Sequence, residues 1–200
     1  MANLTYLPPP GSEARVIGFD CGPGNVLMDA WVEAHTGERF DRDGGFAALG
    51  KPHEALLQAL LNHEFFEVSP PKSCGREQFN LEWIRALAEP YQLSPEDVQA
   101  TLLAFTAKTI ADAVRRFCGP AVELLVCGGG AYNTELMKAL AAELPNMTVD
   151  TTARYGLDPT HIEAAAFAWL AQRTLDGLPG NLSAVTGAAG PRILGNITPA

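Results

Sequence analysis

The side chain best placed to do chemistry is Asp20. It closes a short apolar run, Val16-Ile17-Gly18-Phe19, and Cys21-Gly22-Pro23-Gly24-Asn25 follows before a helical pattern begins at Val26. In open α/β sheets ligands sit outside the carboxyl end of a strand, near a helix N-terminus. The spacing therefore predicts a carboxylate at a strand end with main-chain N–H groups close by. Gly22 and Gly24 let backbone approach a ligand on the substrate side of such a turn, and Asn25 opens the helix. A plainer reading of the same residues is a strand–turn–helix corner whose Asp20 only caps the helix. A second stretch repeats the pattern. Val122-Glu123-Leu124-Leu125-Val126-Cys127 reads as a strand, Gly128-Gly129-Gly130 as a bare-backbone turn, and Asn133 as a polar residue at a helix start. Three consecutive glycines cost chain entropy, and make sense where a flat ligand or a phosphate touches main chain. Two such turns on strands of one small domain suggest a nucleotide cleft.

Other candidates carry weaker chemistry. Lys72-Ser73-Cys74-Gly75-Arg76-Glu77 places Lys72 and Arg76 around Ser and Gly, which suits an anion. It equally suits a capped loop in which Arg76 pairs with a nearby carboxylate. Glu163 stands in an otherwise apolar helical stretch, either in a functional role or as a complement to the helix dipole. Asp41-Arg42-Asp43-Gly44-Gly45 lacks the spaced ligands and terminal Glu of a calcium loop and reads as a solvated turn. The histidines at 35, 53, 63 and 161 are scattered, and His161 and Glu163 point to different faces of a helix. No metal site is expected. No Gly-x-Ser-x-Gly or Cys/His constellation supports a nucleophile mechanism. Neither glycine turn has the Gly-x-Gly-x-x-Gly spacing of a dinucleotide fold.

The elements that must position these residues follow from periodicity and punctuation. Leu4 to Leu7 is a short strand, stopped by Pro8-Pro9-Pro10-Gly11, and a hairpin with the Asp20 strand is expected. A helix runs from Val26 to about Ala34 and ends at Gly37. Another covers about Pro52 to Phe66, with Leu56, Leu57, Leu60, Leu61 and Phe65 on one face. A short helix spans Phe79 to Ala88. Ser94-Pro95-Glu96-Asp97 is an N-cap with Pro at the first helical position, opening a long helix to Phe117. These helices form an insertion at about 50–118, expected on the outside of the domain, with Thr101 and Thr106 as ordinary helix threonines. After the glycine turn come a helix at about Thr134 to Glu143 and a strand at Met147 to Asp150. Asp158-Pro159 is expected to cap an apolar helix to Leu175. The tail from Gly177 to Ala200 is expected to lie extended, with a possible strand at Ile193 to Ile197.

The chain has 200 residues, 47% hydrophobic and 18% charged, which suits one large domain with a sizeable core. A net charge of −9 argues against binding a nucleic-acid backbone. No stretch approaches the roughly 20 apolar residues of a membrane span. Four cysteines without CxxC spacing and no export signal suggest reduced thiols and a cytoplasmic location.

Several motifs then occur in a recognisable order: Phe19-Asp20-x-Gly22-Pro23-Gly24-Asn25, Lys72-Ser73-x-Gly75-Arg76-Glu77, Gln99-Ala100-Thr101-Leu102 and Val126-Cys127-Gly128-Gly129-Gly130, followed by Glu163-Ala164-x-Ala166-Phe167-Ala168-Trp169 and Leu178-Pro179-Gly180-Asn181-Leu182. From about Ala2 to its end the chain resembles the C-terminal half of the anhydro-N-acetylmuramic acid kinase family, within the sugar kinase/Hsp70/actin superfamily. Family members usually carry Thr where this chain has Cys21 and Cys74. The family's Gly-Thr-Ser-x-Asp-Gly phosphate loop is not in this sequence, and Met1-Ala2-Asn3 falls where the family has a Gly-Gly-Ile-Ala-Asn turn. The expectation is a C-terminal lobe, residues 1–200, without its N-terminal lobe. The resemblance implies an α/β fold: an RNase-H-like, actin-type ATPase half with a mixed sheet of about five strands flanked by helices. It implies ATP and Mg²⁺ as cofactors, an anhydro sugar as substrate, and a homodimer for the full-length protein. It implies Asp20 as the base that activates water, and Gly128, Gly129, Gly130 and Asn133 along the nucleotide. The competing expectation is an inactive fragment that only binds nucleotide or dimerises.

Overall fold

Residues 1–198, which the computed structural model describes, form a mixed α/β molecule. Strand β1 (Ala2–Tyr6) and strand β2 (Ile17–Gly22) make the expected antiparallel hairpin, with Leu4 opposite Phe19 and Thr5 opposite Gly18. Strand β3 (Glu123–Val126) and strand β4 (Thr148–Thr151) pair in parallel, Leu124 opposite Val149. Among the described residues these four strands make two separate two-stranded sheets, where the sequence led us to expect one sheet of about five. Ile193 to Ile197 forms no strand. A two-stranded pair is marginal by itself, so each pair depends on the helices it packs against.

Local signals set most helix ends. Helix α1 (Val26–Thr36) stops at Gly37, whose φ of 78° lets its N–H turn back to the Glu33 carbonyl. Helix α2 (Glu54–Leu61) buries Leu56, Leu57 and Leu60 but ends before the expected Phe66. His63 Nδ1 accepts the Phe65 N–H at 3.1 Å and starts a separate 3₁₀ turn, Glu64–Phe66. Asn80 caps helix α3 (Leu81–Ala88) through the Trp83 N–H at 3.0 Å. Ser94 caps helix α4 (Pro95–Phe117) through the Asp97 N–H at 3.2 Å, with Pro95 in the first turn.

Helix α4 corrects one expectation. It does not lie on the outside but is the axis of the molecule, packed against α1, α2, the hairpin and helix α5 (Thr134–Glu143). Apolar Val98, Leu102, Phe105, Ala111 and Val114 are buried, and so are polar Gln99, Thr101, Thr106 and Thr109. A helix buried on nearly all sides must satisfy its polar groups internally. Thr101 Oγ1 accepts the His53 N–H at 2.9 Å, and Gln99 Nε2 donates to the Asp41 carboxylate at 3.0 Å. Asp41 also accepts the N–H groups of Phe46 and Ala47, at 2.8 and 3.0 Å. The Asp41–Gly45 turn is therefore tied into the core through a buried carboxylate, not simply solvated. An aromatic cluster of Phe65, Phe66, Phe79, Trp83 and Phe105 seals the other side of α4. Fully buried Phe79 and Phe105 contribute about 2–3 kcal/mol each.

Helix α6 (Ile162–Leu175) begins later than Asp158. The Asp158 carboxylate closes a turn instead, accepting the Thr160 N–H at 2.8 Å and its hydroxyl at 2.6 Å. No residue of α6 is buried, and Phe167 and Trp169 are 72% and 54% exposed. The tail is folded back rather than extended. Arg173 Nε donates to the Pro179 carbonyl at 2.8 Å, and the Gly180 N–H to Arg192 at 3.0 Å. The short helix α7 (Ser183–Thr186) sets Val185 against Gly18 of β2. Pro199 and Ala200 lie outside the described residues. No helix among those described is long and apolar enough to cross a membrane.

Candidate active site

Alternation along β2 decides which way Asp20 faces. Phe19 and Cys21 are buried, Phe19 edge-on to Phe117 at 5.3 Å, so Asp20 stands half-exposed on the opposite side. The strand runs on through Cys21 and Gly22, so Asp20 lies within it rather than at its end. It does not cap α1, whose Asn25 N-cap position carries no side-chain hydrogen bond. A segment 54 residues away holds Asp20 instead. The Asp20 N–H donates to the Lys72 carbonyl at 3.1 Å, and Asp20 Oδ2 accepts the Cys74 N–H at 2.9 Å. Among the described residues Oδ1 receives no hydrogen bond, which leaves one carboxylate oxygen free to take a proton.

Lys72 is held in turn. Its ammonium donates to the Phe65 carbonyl at 3.0 Å and lies 4.3 Å from the Phe65 ring centre. The first half of Lys72–Glu77 is thus a clamp on Asp20, a role sequence reasoning missed because it joins residues remote in the chain. The second half is a capped loop, with the Gly75 carbonyl accepting the N–H groups of Gln78 and Phe79, both at 3.2 Å. Arg76 is exposed, and its charge acts on Asp29 in α1. Burial pushes the Cys21 thiol up to about 12. Burial, then the charge of Asp20, raises Cys74 to about 11. Neither thiol is a nucleophile at neutral pH.

The turn after Asp20 is pinned to α4. Thr106 Oγ1 donates to the Gly24 carbonyl at 3.2 Å. A Cβ on Gly22 would lie 3.0 Å from Thr109 Oγ1, and one on Gly24, at φ 57°, only 2.8 Å from the Ala2 nitrogen. Both glycines are there for close packing. The Thr106 and Thr109 contacts escaped the sequence reading, which had no means of knowing that α4 is central.

The second turn is built similarly. Gly128 leaves β3 at φ 80°, and its N–H donates to the Pro159 carbonyl at 2.8 Å. Gly129–Tyr132 forms a 3₁₀ turn leading to α5. Buried Asn133 caps α5, accepting the Leu136 N–H at 3.0 Å, so its side chain serves the helix and not an open cleft. A Cβ on Gly128 would meet nothing within 4 Å. The turn is therefore open on that side. Glu163, in the first turn of α6, lies close enough to Cys127 that its charge, after burial, raises that thiol. Tyr132 donates to Asp158 at 3.3 Å, tying the turn to the approach of α6.

The two turns meet at Asn25. A Cβ on Gly130 would lie 3.1 Å from Asn25 Oδ1, and one on Gly129 3.9 Å from Asn25 Nδ2. The Gly22–Asn25 turn that follows Asp20 is thereby brought against Gly129 and Gly130 through Asn25, and Glu163 stands beside Cys127 just before that second turn. The Asn133 side chain is not part of this grouping. Asp20 offers a carboxylate with a free oxygen, which suits proton removal, and the Gly128–Gly130 turn offers an open main-chain surface, which suits a polyanion.

Comparison with known proteins adds an independent finding. A family model described as anhydro-N-acetylmuramic acid kinase matches residues 1–200. Proteins named anhydro-N-acetylmuramic acid kinase from Thiobacillus denitrificans and Xylella fastidiosa are 57% and 53% identical to the chain. One of the same name from Ralstonia nicotianae is 52% identical. Each match covers 100% of this chain and 54%, 52% and 53% of the respective relative. The chain spans about half the length of the curated relatives it matches.

Proposed function

The chain belongs to the anhydro-N-acetylmuramic acid kinase family, and on that premise we propose that it is the C-terminal lobe of an ATP-dependent sugar kinase. The reaction proposed takes 1,6-anhydro-N-acetylmuramic acid, ATP and water to N-acetylmuramic acid 6-phosphate and ADP, in recycling of the bacterial cell wall. The observation that carries this reading is the meeting of the Asp20 and Gly128–Gly130 turns at Asn25.

In the proposed chemistry water attacks the anomeric carbon as the anhydro bridge opens, and the released O6 takes the γ-phosphate. Asp20 accepts the proton from that water. The clamp from Lys72 and Cys74 supports this role, because it fixes the carboxylate while leaving Oδ1 open. Gly128, Gly129 and Gly130 would lie along the nucleotide, with Asn133 holding the helix behind them. Glu163 would border the phosphates. Mg²⁺ would be carried on the ATP phosphates. When bound there, Mg²⁺ neutralises charge on the transferring group. The finer fold reading belongs to the same proposal. The parallel β3–β4 pair and the β1–β2 hairpin would be two parts of one RNase-H-like sheet of about five strands, joined by a strand from outside the described pairs. A homodimer in the cytoplasm is proposed for the whole protein.

A second reading has its own support. Bare α6 and a chain half the relatives' length favour a lobe that binds nucleotide weakly and turns nothing over alone. Positioning supplies most of the rate in phosphoryl transfer. The isolated chain with ATP, Mg²⁺ and the anhydro sugar is expected to release no ADP above blank. Adding the remaining portion of the Thiobacillus denitrificans relative is expected to restore sugar-dependent release. Robust release by the chain alone would refute the single-lobe reading, and none from the mixture would refute the kinase reading for this chain.

A further inference from the structure

On the far side of β2 from Asp20 is a cavity of about 290 Å³, enclosed by β2, α4 and the loop after α2. Its walls include apolar Leu61, Phe66 and Phe117, the Cys21 thiol, three cations, Lys72, Arg115 and Arg116, and two acids, Glu67 and Asp112. Neither acid lies in ion-pair contact with Lys72 or Arg116. Asp112 is taken by Arg115 at 2.6 Å and Lys108 at 3.7 Å, and Glu67 is exposed and acts on Lys72 only through its charge, less strongly than Arg116 does. Among the described residues neither Lys72 nor Arg116 has a carboxylate within 4.0 Å. Each spends one hydrogen bond on a carbonyl: Lys72 on Phe65 at 3.0 Å, and Arg116 on Phe66 at 2.7 Å. Lysine carries three donors and the guanidinium five, so most of their capacity is unspent. The two repel each other, since burial first and then Arg116 lowers the Lys72 ammonium below its usual range. In a chain of net charge −9 this is a marked local exception.

The geometry points to a binding site for a small organic oxyanion, an apolar body ending in a carboxylate or phosphate, with its charge between Lys72 and Arg116 and its body against Leu61, Phe66 and Phe117. A bare inorganic ion would fill only part of this volume, which lies at the lower end for small-molecule pockets. An anion there would satisfy both cations at once, and charge-assisted hydrogen bonds are the strong ones. No residue proposed to touch ATP or sugar lines it, and Lys72 joins it to the proposed base only through its backbone carbonyl, which holds the Asp20 N–H.

The test is calorimetry on the isolated chain with benzoate, phenyl phosphate, benzyl alcohol and inorganic phosphate. Saturable binding of benzoate or phenyl phosphate is expected, and none of benzyl alcohol. The tighter of the two anions identifies the natural headgroup. Arg116→Gln, an exposed substitution that leaves the melting temperature unchanged, should weaken binding by about tenfold or more. Leu61→Trp keeps both cations but fills the cavity, and should abolish binding of the two aromatic anions. No saturation by either anion, equal binding by Arg116→Gln, or inorganic phosphate binding as tightly as phenyl phosphate would each overturn the proposal.

Discussion

At the scale of single residues, Asp20 and Asp29 show what a carboxylate's surroundings decide. In the chain joined to the rest of a relative's length, Asp20→Asn keeps an oxygen to accept the Cys74 N–H but loses the base. Turnover should fall by on the order of 10²–10⁴, the usual contribution of a general base, while melting temperature and sugar affinity change little. Near-normal turnover would remove Asp20 from the mechanism. Asp29, half-buried in the first turn of α1, has its carboxyl pushed up to about 6 by burial, against a smaller opposing pull from Arg76. The folded state thus holds a proton that the unfolded chain has already released. That linkage favours folding at low pH and is lost as pH rises toward and through 6. Asp29→Asn should therefore melt higher than the parent at pH 7, with the gap closing below about pH 4. Thermal melts of both proteins across that range check it, and a constant gap would contradict it. That Asp20 sits on a strand was legible from its neighbours in sequence, though not that the strand runs on past it. The state of Asp29 was not, because burial is contributed by other elements.

At the scale of elements, the loop entering α2 is threaded against the first turn of α4. Lys51 donates its N–H to Asp97 at 2.8 Å, and a Cβ on Gly50 would overlap the Glu96 carbonyl group. Backbone in a helix cannot step aside as a flexible side chain can. Gly50→Ala should cost on the order of 3 kcal/mol, read as a lower urea midpoint with an unchanged slope. A neutral result would mean the loop is free to lift off α4. Boundaries set by local chemistry were readable in advance: Gly37 after α1, Ser94-Pro95 before α4, and the start of α5. Where a nearby side chain offered a second choice, the reading went wrong. His63 restarted the chain after α2, and Asp158 spent its carboxylate on Thr160 instead of on α6. The place of α4 was misjudged because length and capping say that a helix exists, not what surrounds it.

At the scale of the whole molecule, strand number was the least legible feature. Each strand is only four to six residues long, and the two pairs form separate sheets, so periodicity alone did not say how many strands share one sheet. The hairpin was foreseen because its strands are joined by one Pro-rich turn, whereas β3 and β4 were foreseen as strands but not as a pair. The unclothed surface of α6 has a thermodynamic corollary. Phe167, Trp169 and Leu175 lie largely in water, and exposed apolar surface of this kind finds cover by self-association. Folding is then linked to encounter, and the midpoint of thermal unfolding is a function of dilution rather than a constant of the sequence. A concentration series should show the midpoint climbing with protein, and Phe167→Ser with Trp169→Ser should flatten that slope. A midpoint indifferent to concentration would show that α6 is content in water as it stands. Otherwise the stability of this chain belongs to the solution it is in as much as to its own contacts.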